Sequence, residues 1–191
     1  MAAFSEFSDW GYEATTTKTI AARAGVADGG FYQHFENKAE ILRLLAQSHY
    51  EELIGDIRKY DIADIPRITS IDELKDRLMN TINLVYDFRA NSSQFHQVLD
   101  QRRHIDASLN EIILRGERAL LKRVREFVSI FDATNAQETA FSVFAMIEGA
   151  VLRHTTYPNN VSRKKALDAV GRCLAVFMFS LTDKRASRRA N

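Results

Sequence analysis

The sequence predicts an all-α fold of about nine helices, and three observations carry that prediction. Only 2 prolines and 8 glycines occur in 191 residues, which favours long helices over a turn-rich β fold. Hydrophobic residues make up 46% of the chain and recur at helical spacing in successive segments. Residues that start and end helices separate those segments, and we find no strand-like alternation.

The first part of the chain is predicted to hold four helices with clear boundaries. Thr15, Thr16 and Thr17 supply an N-cap for the second helix, and Gly25 closes it in the left-handed conformation. We expect Asp28 to cap the third helix itself. Gly11 ends the first helix, and Asn37 caps the fourth. These helices are predicted at Ala2–Asp9, Thr17–Ala24, Asp28–His34 and Lys38–Tyr60.

Five more helices are predicted beyond a linker, "DIADIPRITS", which contains Pro66. The segment "YPNNVS", with Pro158, breaks the chain before the last of them. The basic tail "TDKRASRRAN" is expected to be disordered. We therefore divide the chain into residues 1–49 and 50–191. The five helices are predicted at Ile71–Ala90, Ser93–Arg102, Asp106–Phe131, Gln137–Thr156 and Arg163–Leu181.

Composition narrows the class of protein. The net charge of +1 means that any contact with nucleic acid depends on local geometry. The single cysteine, Cys173, is expected to be a small buried hydrophobe. No 18-residue apolar run and no signal peptide are visible, so we expect a cytoplasmic protein. No histidine follows a glutamate by three residues, and no nucleophile elbow or phosphate loop occurs. We therefore expect no metal, no cofactor and no enzyme.

The stretch "RAGVADGGFYQHF" has the pattern of a helix-turn-helix. Ile20 and Ala24 face inward on the first helix, and Phe31 and Phe35, four residues apart, point into the same small core. Gly30, Gln33 and His34 then share the opposite, solvent-facing side. That is the geometry of a recognition helix in a DNA major groove.

The segment "GYEATTTKTIAARAGVADGGFYQHFENKAEILRLL" resembles the tetracycline-repressor (TetR) family of bacterial transcriptional regulators, and the matching pattern covers about Ala2 to Leu45. The resemblance implies a three-helix DNA-binding unit followed by a helical bundle that binds a ligand and dimerises. Phosphate contacts are implied for the threonine, lysine and tyrosine positions, and close approach of the backbone for the two glycines. Gln33 and His34 are implied to face base edges or phosphates. The alternative for each is an ordinary surface or core-capping residue. The implied DNA contacts are Thr17, Lys18, Gly29, Gly30, Tyr32, Gln33, His34 and Lys38.

Three departures from the family pattern predict modest DNA affinity. Ala27 and Asp28 stand where a hydroxyl cap and a lysine are common, and Gly30 replaces a common hydroxyl residue. The chain also begins close to the pattern, so its first helix is expected to be short. Residues 1–49 contain four basic and six acidic residues, a net charge of −2. The alternative is therefore a ligand-binding homodimer of this fold with weak or lost DNA binding.

The resemblance also implies a homodimer and an effector pocket. The function it implies is that of a repressor, which binds a near-palindromic operator and is released by a small, largely apolar molecule. The expected dimer residues are Phe144, Ile147, Val151, Val170, Leu174 and Phe177; the alternative is that they form only intramolecular core. The expected ligand residues are Ile82, Tyr86, Phe95, His96, Leu99, Arg102, Ile113, Phe144 and Glu148.

Overall fold

The computed structural model describes residues 1–59, 68, 70–157 and 160–189, of which Asp28 and residues 182–189 are described by their backbone only. Within these residues the chain forms nine helices and no strand, so the predicted all-α class is confirmed. Pro66 and Pro158 lie outside the described residues. The helices are α1 Ala2–Ala14, α2 Thr17–Ala24, α3 Asp28–Phe31, α4 Lys38–Arg58, α5 Ile71–Ala90, α6 Ser93–Arg102, α7 Ala107–Val128, α8 Ala136–Thr156 and α9 Arg163–Arg189.

Most predicted boundaries are correct to within a few residues, and those of α2, α5 and α6 coincide. The predicted disordered tail is wrong, because α9 continues past Leu181 to Arg189. Residues 182–189 contain neither glycine nor proline, and their lysine, arginine and alanine are good helix formers. Basic composition alone therefore did not indicate disorder here.

Gly11 interrupts α1. Its φ of 77° and ψ of 174° are not helical, and the helix resumes for one short turn that ends at Ala14. Few residues other than glycine adopt a positive φ. The glycine thus turns the chain so that Thr15 can donate its hydroxyl to the carbonyls of Gly11, at 2.7 Å, and Glu6, at 3.1 Å.

The helices α2 and α3 differ in how they begin. Thr16 is the N-cap of α2 and forms a reciprocal capping box with Thr19. The N-cap of α3 is Ala27, which makes no side-chain cap bond, so the prediction that Asp28 caps this helix is wrong. The helix is also shorter than the predicted Asp28–His34. It ends at Phe31, because the amides of His34 and Phe35 both bond the Phe31 carbonyl and turn the chain.

The chain folds as two compact units. The head unit comprises residues 1–52 and 91–117, and the bundle unit comprises residues 53–90 and 118–191. The head unit therefore contains α6 and the first half of α7 as well as α1 to α3 and most of α4. The predicted domain boundary at residue 49 stays a prediction. The boundary between the two compact units instead falls where the two hydrophobic cores separate.

The head unit has an aromatic and aliphatic core. Phe7 and Phe95 are completely buried, and Phe95 lies 4.6 Å from Phe4 between ring centroids. Both predicted inward rings of the helix-turn-helix contribute, Phe31 as a buried residue and Phe35 as a partly buried one. Helices α1 and α6 therefore pack together in this unit, which supports the surface formed by α2 and α3.

The bundle unit is built on α5, α8 and α9, which pack against one another. Its core includes Leu74, Ile82, Leu174 and Met178, each fully buried. Cys173 is exposed on α9, so the expectation that it is buried is wrong. Among the described residues, no helix is long and apolar enough to cross a bilayer.

Candidate nucleic-acid interface

The turn between α2 and α3 has the geometry that the sequence predicts. Gly25 is left-handed with φ 70° and ψ 24°, and its amide bonds the carbonyls at the end of α2. The amide of Val26 bonds the Ala21 carbonyl at 3.1 Å. These bonds satisfy the carbonyls at the helix end and redirect the chain into α3.

The outer surface of this motif presents most of the predicted DNA contacts. Thr17 and Tyr32 meet directly, since their hydroxyl oxygens lie 3.0 Å apart. Lys18, Gln33 and His34 are exposed on the same two segments. The hydroxyl pair therefore joins the start of α2 to the residue that follows α3.

Gly29 and Gly30 have no structural requirement inside the chain. A Cβ added at Gly29 would meet no atom within 4 Å, and one at Gly30 would meet only the Val26 Cβ at 3.8 Å, an ordinary contact. Neither glycine has a positive φ. Because glycine costs helix stability relative to alanine, these two positions are not explained by the fold.

Lys38 is not directed to solvent as a phosphate contact would be. Its ammonium donates to the carbonyls of Tyr12 at 2.7 Å and Thr15 at 2.8 Å, and it lies 4.3 Å from the centroid of the Tyr12 ring. The side chain therefore anchors the end of α1.

Two more cations of residues 1–49 are also held by partners. Arg23 pairs with Glu6 at 2.9 Å and Asp9 at 2.7 Å, which ties α2 to α1. Arg43 pairs with Asp106 at 2.9 Å. Lys18 and Arg23 are both exposed on α2, and of the two Arg23 is paired with acidic side chains of α1.

Asp106 immediately precedes α7 and has a second role. Its Oδ1 accepts the amide of Leu109 at 3.0 Å, which satisfies the start of that helix. Burial raises the pKa of Asp106, but the Leu109 amide and the Arg43 guanidinium outweigh it, so its pKa is held below the usual range. The carboxylate thus stays charged and links α4 to α7 within the head unit.

Comparison with known proteins identifies the family of the first part of the chain. Residues 1–45 match the model of "bacterial regulatory proteins, tetR family". These residues form a tetR-family segment. The chain's match to the transcriptional activator FasR of Mycolicibacterium smegmatis is 28% identical over 105 residues, 55% of this chain and about 45% of the length of FasR.

Longer matches extend over most of this chain. The transcriptional regulator TtgR of Pseudomonas putida is 26% identical over 171 residues, which cover 84% of this chain and 80% of TtgR. The structure of a tetR-family regulator of Mesorhizobium loti has a TM-score of 0.77 at 16% identity, covering 94% of this chain and 92% of that one. The fold of both parts of the chain is thus that of the family.

The predicted ligand residues divide between the two units. Five lie in the head unit, where Phe95, Leu99 and Ile113 are core residues with at most 2% of their surface exposed. In the bundle unit, Ile82 and Tyr86 are buried, while Glu148 is exposed. An open cleft of about 740 Å³ lies between α6 and α7, and none of the nine predicted residues lines it.

Two histidines that no sequence pattern connects form a partly buried contact in the head unit. His49 Nε2 and His96 Nε2 lie 3.2 Å apart, so one ring donates and the other accepts. The His49 ring also packs against Phe95 at 5.6 Å. Burial lowers the pKa of His49 to about 4, which keeps this ring neutral near pH 7. No spacing in the sequence indicates the pair, because its members are 47 residues apart.

The predicted dimer residues face in different directions. Ile147, Val151 and Leu174 are buried in the core of the bundle unit. A side chain buried within its own chain has no surface left for a second copy. Phe144 and Val170 are partly buried, and Phe177 is 38% exposed. The exposed apolar residues of these two helices are instead Phe141, Met146 and Leu152 on α8 and Val176 and Phe177 on α9.

Proposed function

We propose that this protein is a tetR-family, ligand-responsive transcriptional repressor in the cytoplasm that binds a near-palindromic operator as a homodimer. The observation that supports DNA binding best is the outer surface of the helix-turn-helix. Its exposed polar side chains stand beside two glycines that nothing inside the chain requires. A duplex lying against α3 supplies the missing reason, because a phosphate backbone approaches glycine more closely than any other residue.

The side chains on this surface have different proposed roles. Lys18 contacts phosphate through charge, and the Thr17–Tyr32 hydroxyl pair orients phosphate at the junction of α2 and α3. Gln33 and His34 read base edges, and Gln33 has the amide chemistry that pairs with adenine. Lys38 acts from within, since it fixes the end of α1 and adds positive charge nearby.

Fluorescence anisotropy with a duplex from upstream of the protein's own gene tests this proposal. We expect tighter binding to that duplex than to a random one, and affinity that falls steeply with salt. Gln33→Ala should reduce the preference between the two duplexes. Lys18→Ala should weaken both alike and lower the salt slope by about 1. Equal affinity of the wild type for both duplexes at low salt would favour the alternative, a ligand-binding homodimer with lost DNA binding.

The proposed homodimer uses the exposed sides of α8 and α9. Phe141, Ala145 and Leu152 recur along one side of α8, and Cys173 and Val176 lie along one side of α9. Two copies that bury these apolar groups would present two heads to successive turns of the duplex. A monomer would offer the operator only one acidic head.

Sedimentation and thiol labelling test the dimer. Phe141→Glu should give a monomer and speed the labelling of Cys173, which is exposed in the single chain. Ile130→Glu, at another exposed apolar position of the bundle unit, is the control and should leave the dimer intact. Dimers that persist in Phe141→Glu would refute this surface.

The effector is proposed to be a small, largely apolar molecule. Support comes from the resemblance to the family alone, because Ile82 and Phe95 are packed in the separate cores of the bundle unit and the head unit. A reporter gene controlled by the upstream DNA distinguishes repression from activation. The distinction needs testing because the relative FasR is named an activator. We expect deletion of the protein to raise reporter expression.

A further inference from the structure

The end of α1 is held by an arginine from outside the segment that matches the family model. The guanidinium carbon of Arg102, at the end of α6, lies 4.1 Å from the centroid of the Tyr12 ring. The same guanidinium donates to Glu13 Oε1 at 3.1 Å. Only 20% of the arginine side chain is exposed, so packing and pairing together restrict it to this place.

Tyr12 brings Arg102 and Lys38 together. The Lys38 ammonium lies 4.3 Å from the centroid of the same ring and donates to the carbonyl oxygen of Tyr12 at 2.7 Å. The ring contacts both cations, and one of them also bonds the carbonyl of the same residue. The position of the Lys38 ammonium therefore depends on a ring that Arg102 packs against.

The segment that these groups hold leads directly into the DNA-reading motif. Lys38 also donates to the carbonyl of Thr15 at 2.8 Å, and Thr16, the next residue, is the N-cap of α2. Thr17 and Lys18 follow at once. A shift of the Tyr12–Thr15 backbone would therefore move both proposed phosphate contacts.

We propose that Arg102 is a positioning residue for DNA binding, which acts through Tyr12 to fix Lys38 and the start of α2. The proposal rests on the DNA-binding function proposed above. It gives α6, which follows the helix-turn-helix by some sixty residues, an indirect part in how the head unit binds its operator. It also replaces the role predicted for Arg102 as a ligand contact.

Arg103 provides a matched control. It is the next residue, has a similar exposed fraction of 22%, and pairs with Glu117 at 3.1 Å and Asn110 at 3.1 Å, both on α7. Its loss changes the net charge by the same amount as the loss of Arg102. Only Arg102 contacts the end of α1, so the two alanine variants differ in the contact that the proposal invokes.

The first measurement is anisotropy with the upstream duplex. We expect Arg102→Ala to weaken DNA binding about tenfold, because the variant loses one cation–π contact and one ion pair. Arg103→Ala should change the affinity less than about twofold. Arg102→Lys should recover part of the affinity, because a lysine still offers a cation to the ring. Equal losses in the two alanine variants would overturn the proposal.

A double-mutant cycle separates positioning from general destabilisation. Arg102→Ala and Lys38→Ala should be strongly non-additive for DNA affinity, because both act on one element, whereas Arg102→Ala and Gln33→Ala should be additive. The dependence of DNA affinity on salt concentration should be no weaker in the double variant than in Lys38→Ala alone. Additivity of the first pair would contradict the proposed chain of contacts.

Hydrogen exchange keeps the proposal testable without DNA. Amides of residues 12–19 should exchange faster in Arg102→Ala than in the wild type and in Arg103→Ala. Unchanged exchange there would refute the positioning role even if affinity fell. If exchange changes as expected but the wild type binds both duplexes equally, the positioning stands and the proposed DNA function fails.

Discussion

The head unit and the bundle unit differ in how well the sequence located their outward-facing residues. In the head unit, Lys18, Tyr32, Gln33 and His34 are exposed as predicted. In the bundle unit, half of the predicted dimer residues lie in the unit's own core, Leu174 among them. A motif with many matching positions defines the direction of each side chain, whereas an apolar helical stripe indicates a buried side without showing what buries it.

The largest expected effect tests whether Leu174 faces the core of the bundle unit while Phe177, three residues later on α9, faces solvent. Leu174→Ala should lower the free energy of unfolding by about 2–5 kcal/mol, because the side chain is fully buried and its loss leaves a cavity. Phe177→Ala, 38% exposed, should cost less than about 1 kcal/mol. Urea unfolding in the Phe141→Glu background, which removes dimer contacts, measures both. Similar costs would break the distinction between inward and outward residues.

The head unit should lose stability in acid. The pKa of His49 is lowered from 6.5 to about 4, so the unfolded chain binds more protons between these values, and stability falls as pH falls from about 6.5 to about 4. The difference corresponds to a loss of at most about 3 kcal/mol. His49→Gln should flatten the pH dependence of urea unfolding in this window. His34→Gln, at an exposed histidine, should keep it; equal slopes in all three proteins would contradict the partly buried pair.

The capping box of α2 should contribute measurably to the head unit. Thr16→Ala should cost about 1 kcal/mol, since the amide of Thr19 loses its acceptor. Ser92 is the matched control, because it is the N-cap of α6 but makes no side-chain cap bond. Ser92→Ala should change the thermal midpoint little. A Thr16 variant as stable as the Ser92 variant would show that the cap is unimportant.

The smallest expected effect is that of Gly29→Ala, which should raise stability and lower DNA affinity. Gly29→Ala should stabilise the head unit by up to about 0.5–1 kcal/mol, because the added Cβ meets no atom of the chain, yet it should weaken operator binding. Gly55→Ala, where α4 is equally open, should stabilise without changing DNA affinity. Anisotropy and thermal unfolding on the same samples give both signs. Unchanged DNA affinity in Gly29→Ala would remove the proposed reason for the glycines.

Much of the fold was predictable because its signals are local. The boundaries of α2, α5 and α6 coincide with the predicted ones, since glycine, proline and capping residues act on their immediate neighbours. The errors are local as well. Asp28 follows the N-cap of α3 and is not itself the N-cap. The last helix runs eight residues further than predicted, because the helix propensity of its residues outweighs the disorder that their basic charge predicts.

The sequence by itself determined the all-α class, the helix-turn-helix and the family, because these depend on patterns within a few turns of helix. Only the tertiary structure decided what the long side chains touch. Lys38 looked like a phosphate contact and holds the end of α1, Arg102 looked like a ligand contact and packs on Tyr12, and His49 meets His96. Such partners lie 26 to 90 residues apart in the chain. Packing brings them together, and packing depends on the whole core, which no short pattern encodes.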